Sequence, residues 1–148
     1  VNLFGIGASR LVAHDLAQKL MRVDKECHLY DDWHDQLLCA KNMHEGDMAI
    51  AFSYSGLTQE VLDCTVEAQR HNCPVVAVTK VDGSSKLATM ADAVLGVAAS
   101  EPLLRSGAMA SRMAQLMVVD ALYAAYVASD YERATHVIKQ NYIEKQER

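Results

Sequence analysis

With 148 residues, 51% of them hydrophobic but only 6% aromatic, the chain has the length for one domain whose core is aliphatic and alanine-rich. No apolar run approaches the ~20 residues of a membrane span. A formal net charge of −5 argues against this piece gripping nucleic acid by itself. Cys27, Cys39, Cys64 and Cys73 form no CxxC pair, which points to buried, reduced thiols of a cytoplasmic protein rather than disulfides or a metal site. The chain starts without methionine, inside an apolar run, as expected of a domain cut from a longer protein.

In chain order, Val1-Asn2-Leu3-Phe4 reads as a first strand ending at Gly5-Ile6-Gly7. A helix follows from Ser9, with Val12, Ala13, Leu16, Ala17, Leu20 and Met21 on one stripe. Cys27–Tyr30 is expected as a second strand, followed by the polar cluster Asp31–Asp35 and a helix over Gln36–Met43. Met48–Phe52 is a third strand, and a helix runs from Thr58 to about His71. Pro74–Thr79 and Ala93–Val97 complete five strands, with a turn at Val81–Ser85 and a short helix over Lys86–Ala91 between them.

A single long helix is expected from Ser106 to about Ala128, apolar nearly all round and charged only at Arg112 and Asp120. Such a helix needs cover on more than one side. The sheet covers one side, and a second subunit is the expected cover for Met109, Met113, Leu116, Met117, Val119, Leu122 and Tyr123 on another. Residues 129–148 read as a charged helical tail.

Apolar strands alternating with helices imply right-handed crossovers and an α/β, three-layer sandwich around a parallel sheet covered on both faces. Ligands in such folds bind beyond the carboxyl ends of the strands, where strand order reverses. A flavodoxin-like order, 2-1-3-4-5, places the turn after the first strand beside the turn after the third. Those are the Gly/Ser-rich turns, Gly5-Ile6-Gly7-Ala8-Ser9 and Ser53-Tyr54-Ser55-Gly56-Leu57-Thr58.

The second turn carries three hydroxyls and a glycine at a strand-to-helix junction. Hydroxyls donate to phosphate oxygens, glycine lets backbone amides approach an anion, and the helix N-terminus adds free N–H groups. No lysine is present, so it is not a Walker-type loop. The plainer role is a helix cap by Thr58 or Ser55, helped by Glu60. Three hydroxyls exceed what a cap requires, and the turn is read as a phosphate site. Dinucleotide binding is disfavoured because Arg10 occupies the third glycine position of GxGxxG, although Asp31 could hold a ribose. His34 lies at the same end of the sheet, either to donate to a sugar hydroxyl or as a histidine of a solvated acidic loop. Glu101 and Arg105-Ser106-Gly107 could close over a ligand or reach a partner's site; a helix cap is the other role of Ser106.

GIGASR, SYSGLTQE and RSGAMASRMAQL together resemble the sugar isomerase (SIS) domain, most of all that of RpiR-type bacterial transcription regulators, over residues 1–128. The resemblance implies phosphosugar binding by Ser53, Ser55, Gly56 and Thr58 with Ser9, and also by His34 and Ser106. It implies no cofactor, and DNA binding only through an N-terminal helix-turn-helix domain not included in this sequence. The competing function is an aldose–ketose phosphate isomerase. It would need a general base near the sugar's C1–C2 edge. His34, Glu60 and Glu101 are candidates, but no acid–base pair stands out.

Overall fold

The computed structural model describes residues 1–98 and 107–143. Four strands form one parallel sheet in the order β1 (Asn2–Gly5), β2 (Ala49–Phe52), β3 (Val75–Lys80) and β4 (Ala93–Val97). The helices are α1 (Ala8–Met21), α2 (Trp33–Lys41), α3 (Gln59–Arg70), α4 (Lys86–Met90), α5 (Met109–Ser129) and α6 (Tyr131–Gln140).

Side chains along a strand alternate between faces, and here the alternation divides the core in two. Leu3, Ile50, Phe52 and Val78 pack with Val12, Leu16 and Val119, under α1 and α5. Phe4, Ala49, Ala51, Val75 and Ala77 pack with Val61, Leu62, Cys64 and Leu87, under α3 and α4. The three-layer sandwich is therefore as expected. Lys19 reaches Asp15 on its own helix and Asp120 at 3.0 Å, tying α1 to α5 within one layer. Cys64 lies inside the α3 layer, where burial pushes its thiol up to about 12; all four cysteines are free.

One strand differs from expectation. The segment Cys27–Tyr30 still flanks β1, preserving the 2-1-3-4-5 arrangement, but pairs only at His28, through Leu3 N–H to His28 C=O (2.9 Å) and His28 N–H to Val1 C=O (2.9 Å). Its continuation is pre-empted by a side chain. The buried amide of Gln36 accepts from Gly5 N–H (3.0 Å) and donates to the carbonyls of Gly5 (3.1 Å) and Tyr30 (2.9 Å). It thus occupies the groups that strand pairing would have used. The expected fifth strand is β4, at the bounds read from the sequence, and it stands at the edge of the sheet with Val94 exposed.

In α5 the inward face consists of Ser111, Gln115 and Val119. Val119 is fully buried and belongs to the core, not to an outer patch as its sequence context suggested. Met109, Met113 and Met117, spaced four residues apart, are 64, 62 and 72% exposed and form the outer stripe. No helix among the described residues is long and apolar enough to cross a membrane.

Candidate functional site: two turns at the carboxyl edge of the sheet

β1 pairs with β2 so that Gly5 stands beside Phe52, the residue before Ser53. The two turns thus leave adjacent strands about 5 Å apart. From β1 the chain enters α1 on one face of the sheet; from β2 it enters α3 on the other. A crevice opens between helices that diverge in this way, which is the strand-order reversal expected from the sequence.

The hydroxyls divide their work. Ser53 is 2% exposed; its Oγ accepts from Gly56 N–H (3.1 Å) and bonds Thr58 Oγ1 (2.9 Å). When Ser53 donates in that pair, the proton of Thr58 is free to face outward. Ser55 accepts at 3.3 Å from Leu57 N–H and retains its own proton for an external acceptor. Thr58 occupies the N-cap position of α3 yet makes no side-chain cap bond. The cap reading of this turn is therefore not what the geometry realises.

Gly56 is tied into the turn by its own backbone. Its amide donates to the carbonyl (3.0 Å) and hydroxyl of Ser53. Its φ is +67°, and a Cβ there would lie 1.8 Å from Ser85 Oγ. Ser85, which sequence reasoning treated only as part of a turn, is buried and bonds Thr79 Oγ1 (2.9 Å) while capping α4 through Ala88 N–H (3.1 Å). Leu87 N–H donates to Gly56 C=O at 3.0 Å. Glycine is thus required for the turn to seat on Ser85.

Across the crevice α1 begins at Gly7, which has φ +59° and provides no side-chain cap, and its first turn has no acidic residue. Arg10 N–H turns back to Gly7 C=O and Val61 N–H to Thr58 C=O. Among the described residues, the amides of Ala8 and Ser9, and of Gln59 and Glu60, are left without a protein acceptor. By contrast, α2, α4 and α6 are capped by Asp32, Ser85 and Asp130. Free amides at helix N-termini carry partial positive charge and take anions. Ser9, in the first turn of α1, bonds Gln115 of α5 at 3.2 Å, bringing the third helix to the crevice.

The remaining expected residues are not all brought in. His34 is exposed in the first turn of α2, where its amide bonds Asp32 and its ring contacts Trp33 edge-on, 6.5 Å between centroids. Among the described residues nothing bonds its imidazole to the Ser53–Thr58 turn. Asp31, considered for a ribose, is paired with Arg10. Ser106 and Glu101 lie outside the described residues. A separate cavity of about 500 Å³ runs along α2, lined by His28, Asp35, Cys39, His44 and Asp47 among others. No three His, Cys, Asp or Glu side chains among the described residues come close enough together to hold a metal ion.

The SIS domain model matches residues 1–125. An uncharacterised HTH-type transcriptional regulator of Caldanaerobacter subterraneus is 39% identical over 131 residues, covering 88% of this chain and 46% of the relative. The structure of the Vibrio vulnificus NanR protein complexed with ManNAc-6P superimposes with a TM-score of 0.86 at 31% identity, over 94% of this chain and 52% of that one. The sugar isomerase domain of an RpiR transcription factor from Sphaerobacter thermophilus shares the fold, with a TM-score of 0.80 at 22% identity, over 94% and 75% of the two chains. The chain spans about half the length of the curated relatives it matches.

Replacing Gly56 by alanine is expected to destabilise the domain by about 2–4 kcal/mol, a left-handed backbone cost plus overpacking against Ser85. Urea unfolding followed by circular dichroism measures this. An unchanged midpoint would mean that the turn is not wedged on Ser85.

Proposed function

Because the chain belongs to the SIS domain family, we propose that it is the phosphosugar-sensing domain of an RpiR-type transcriptional regulator. The observation that carries this is the pair of uncapped helix N-termini, α1 and α3, facing one crevice with hydroxyls of Ser9, Ser55 and Thr58 at its rim. The phosphate takes donors from those hydroxyls and from the free amides of Ala8, Ser9, Gln59 and Glu60. Ser53 and Gly56 hold the turn that presents them, and His34 and Ser106 are assigned to the sugar's own hydroxyls. Residues 1–128 make up this sensing domain, with residues 129–148 as a helical tail. DNA is bound by a helix-turn-helix region of the parent protein, in the cytoplasm.

Hydrogen bonds to a charged group contribute on the order of 1.5–3 kcal/mol each. Three or four, offset by ordering and desolvation, give affinity near micromolar, about −8 kcal/mol. Calorimetry with hexose 6-phosphates and amino-sugar 6-phosphates, ManNAc-6P among them, is expected to find a binder. Ser55→Asp, which places a like charge at the phosphate, is expected to abolish binding in a folded protein. Undiminished binding by that variant would remove the turn from the site.

The domain works as a dimer through the outer stripe of α5. Three methionines in one helical row are a large apolar surface for a monomer, and a second copy buries them isologously. Sedimentation at micromolar concentration is expected to give a dimer mass, and Met113→Glu a monomer. A monomeric wild type would overturn this.

The bound sugar is not transformed. Donors at a phosphate hold ground state and transition state alike, and uniform binding does not accelerate chemistry. Isomerisation would require a base at the C1–C2 edge, a role for which the described site offers only exposed His34 and the half-buried Glu60. No deuterium wash-in at C2 is expected by NMR in deuterated water. Wash-in that disappears in His34→Ala or Glu101→Gln would establish an isomerase instead.

A further inference from the structure

Gln115 sits on the inward face of α5, 1% exposed. Its Oε1 bonds Ser9 Oγ at 3.2 Å. Its Nε2 is fully buried and has no hydrogen-bond partner among the described residues. A buried amide donor without an acceptor is rare in native structures and calls for a reason.

The reason lies in what Ser9 must do. A serine hydroxyl has one proton. With Oε1 toward Ser9, that proton is spent on Gln115, and the hydroxyl shows the crevice only lone pairs, which repel a phosphate. Turning the amide about its last torsion exchanges Oε1 and Nε2 at little steric cost, because the two ends have nearly the same shape. Nε2 then donates to Ser9 Oγ, and the serine proton is released toward an anionic oxygen. The turn also moves the unpartnered group from an N–H to a carbonyl oxygen, which native interiors tolerate more often.

We propose that Gln115 is a positioning residue that sets Ser9 as a donor to the bound phosphosugar and couples occupancy of the crevice to α5. This rests on the phosphosugar reading above. α1 is the wall of the crevice and α5 carries the exposed methionine stripe, so the Ser9–Gln115 bond links the ligand's side of α1 to the helix of the proposed dimer surface. A ligand that binds one amide orientation better than the other shifts the population of that orientation.

The test is a double-mutant cycle by calorimetry, using the phosphosugar that titrates most tightly in the panel above. Gln115→Leu removes both amide atoms at similar volume. It is expected to stay folded, with a melting temperature no lower than wild type, because the unpartnered donor goes with it. Its affinity is expected to fall about tenfold, one charge-assisted hydrogen bond partly offset. Ser9→Ala is expected to lose a similar factor, and the double variant no more than either alone. A merely structural role for Gln115 would lower the melting temperature without this coupling. Should Gln115→Leu unfold, Gln115→Met carries the same expectation. Undiminished binding in a folded Gln115 variant, or losses that multiply in the double variant, would overturn the inference while leaving phosphosugar binding intact. A wild-type chain that binds no member of the panel would overturn both.

Discussion

Backbone amides left unpaired at the start of a helix attract negative charge, and most helices neutralise them with a capping side chain. In this chain α2, α4 and α6 follow that habit, through Asp32, Ser85 and Asp130. α1 and α3 do not. α1 and α3 begin where adjacent parallel strands end, on opposite faces of the sheet, and α5 reaches α1 through Gln115 and Ser9. The absent caps are therefore concentrated at one crevice. Thr58 shows this most plainly, since it stands at the capping position and bonds Ser53 instead.

Holding that arrangement open requires support from behind. Gly56 presses on Ser85, Ser85 bonds Thr79 at the end of β3, and Leu87 of α4 ties back to Gly56. The turn is thus fixed by the neighbouring strand and helix, with its outward hydroxyls free of that duty. On the other side Gln36 performs the equivalent task for the first turn, pairing both polar groups of the Gly5 peptide. A well-supported turn loses less freedom when a ligand arrives, and affinity benefits from that preorganisation.

Much of this was legible in the sequence because it is local. The apolar runs before Ser53 and at Pro74–Thr79 read directly as buried strands, and hydroxyls with a glycine between strand and helix singled out the turn proposed to hold the phosphate. What escaped involves contacts far apart in the chain. Gln36 lies 31 residues from the Gly5 it pairs with, and no periodicity signals that an amide will replace a strand there. Ser85 looked like turn chemistry, and only packing shows it as the seat of Gly56. Gln115 sat within an apolar helix as a polar interruption, 106 residues from Ser9, and Val119 was indistinguishable in type from residues on the outer stripe.

Backbone amide shifts on adding a hexosamine 6-phosphate, followed by two-dimensional NMR, probe the uncapped helix starts themselves. Ser9, Gln59 and Glu60 should move most, together with Ser55, while the capped starts at Ala88 and Arg133 and the α2 cavity at Cys39 and His44 stay in place. Shifts concentrated along that cavity, with the two turns unmoved, would show that the phosphate binds elsewhere.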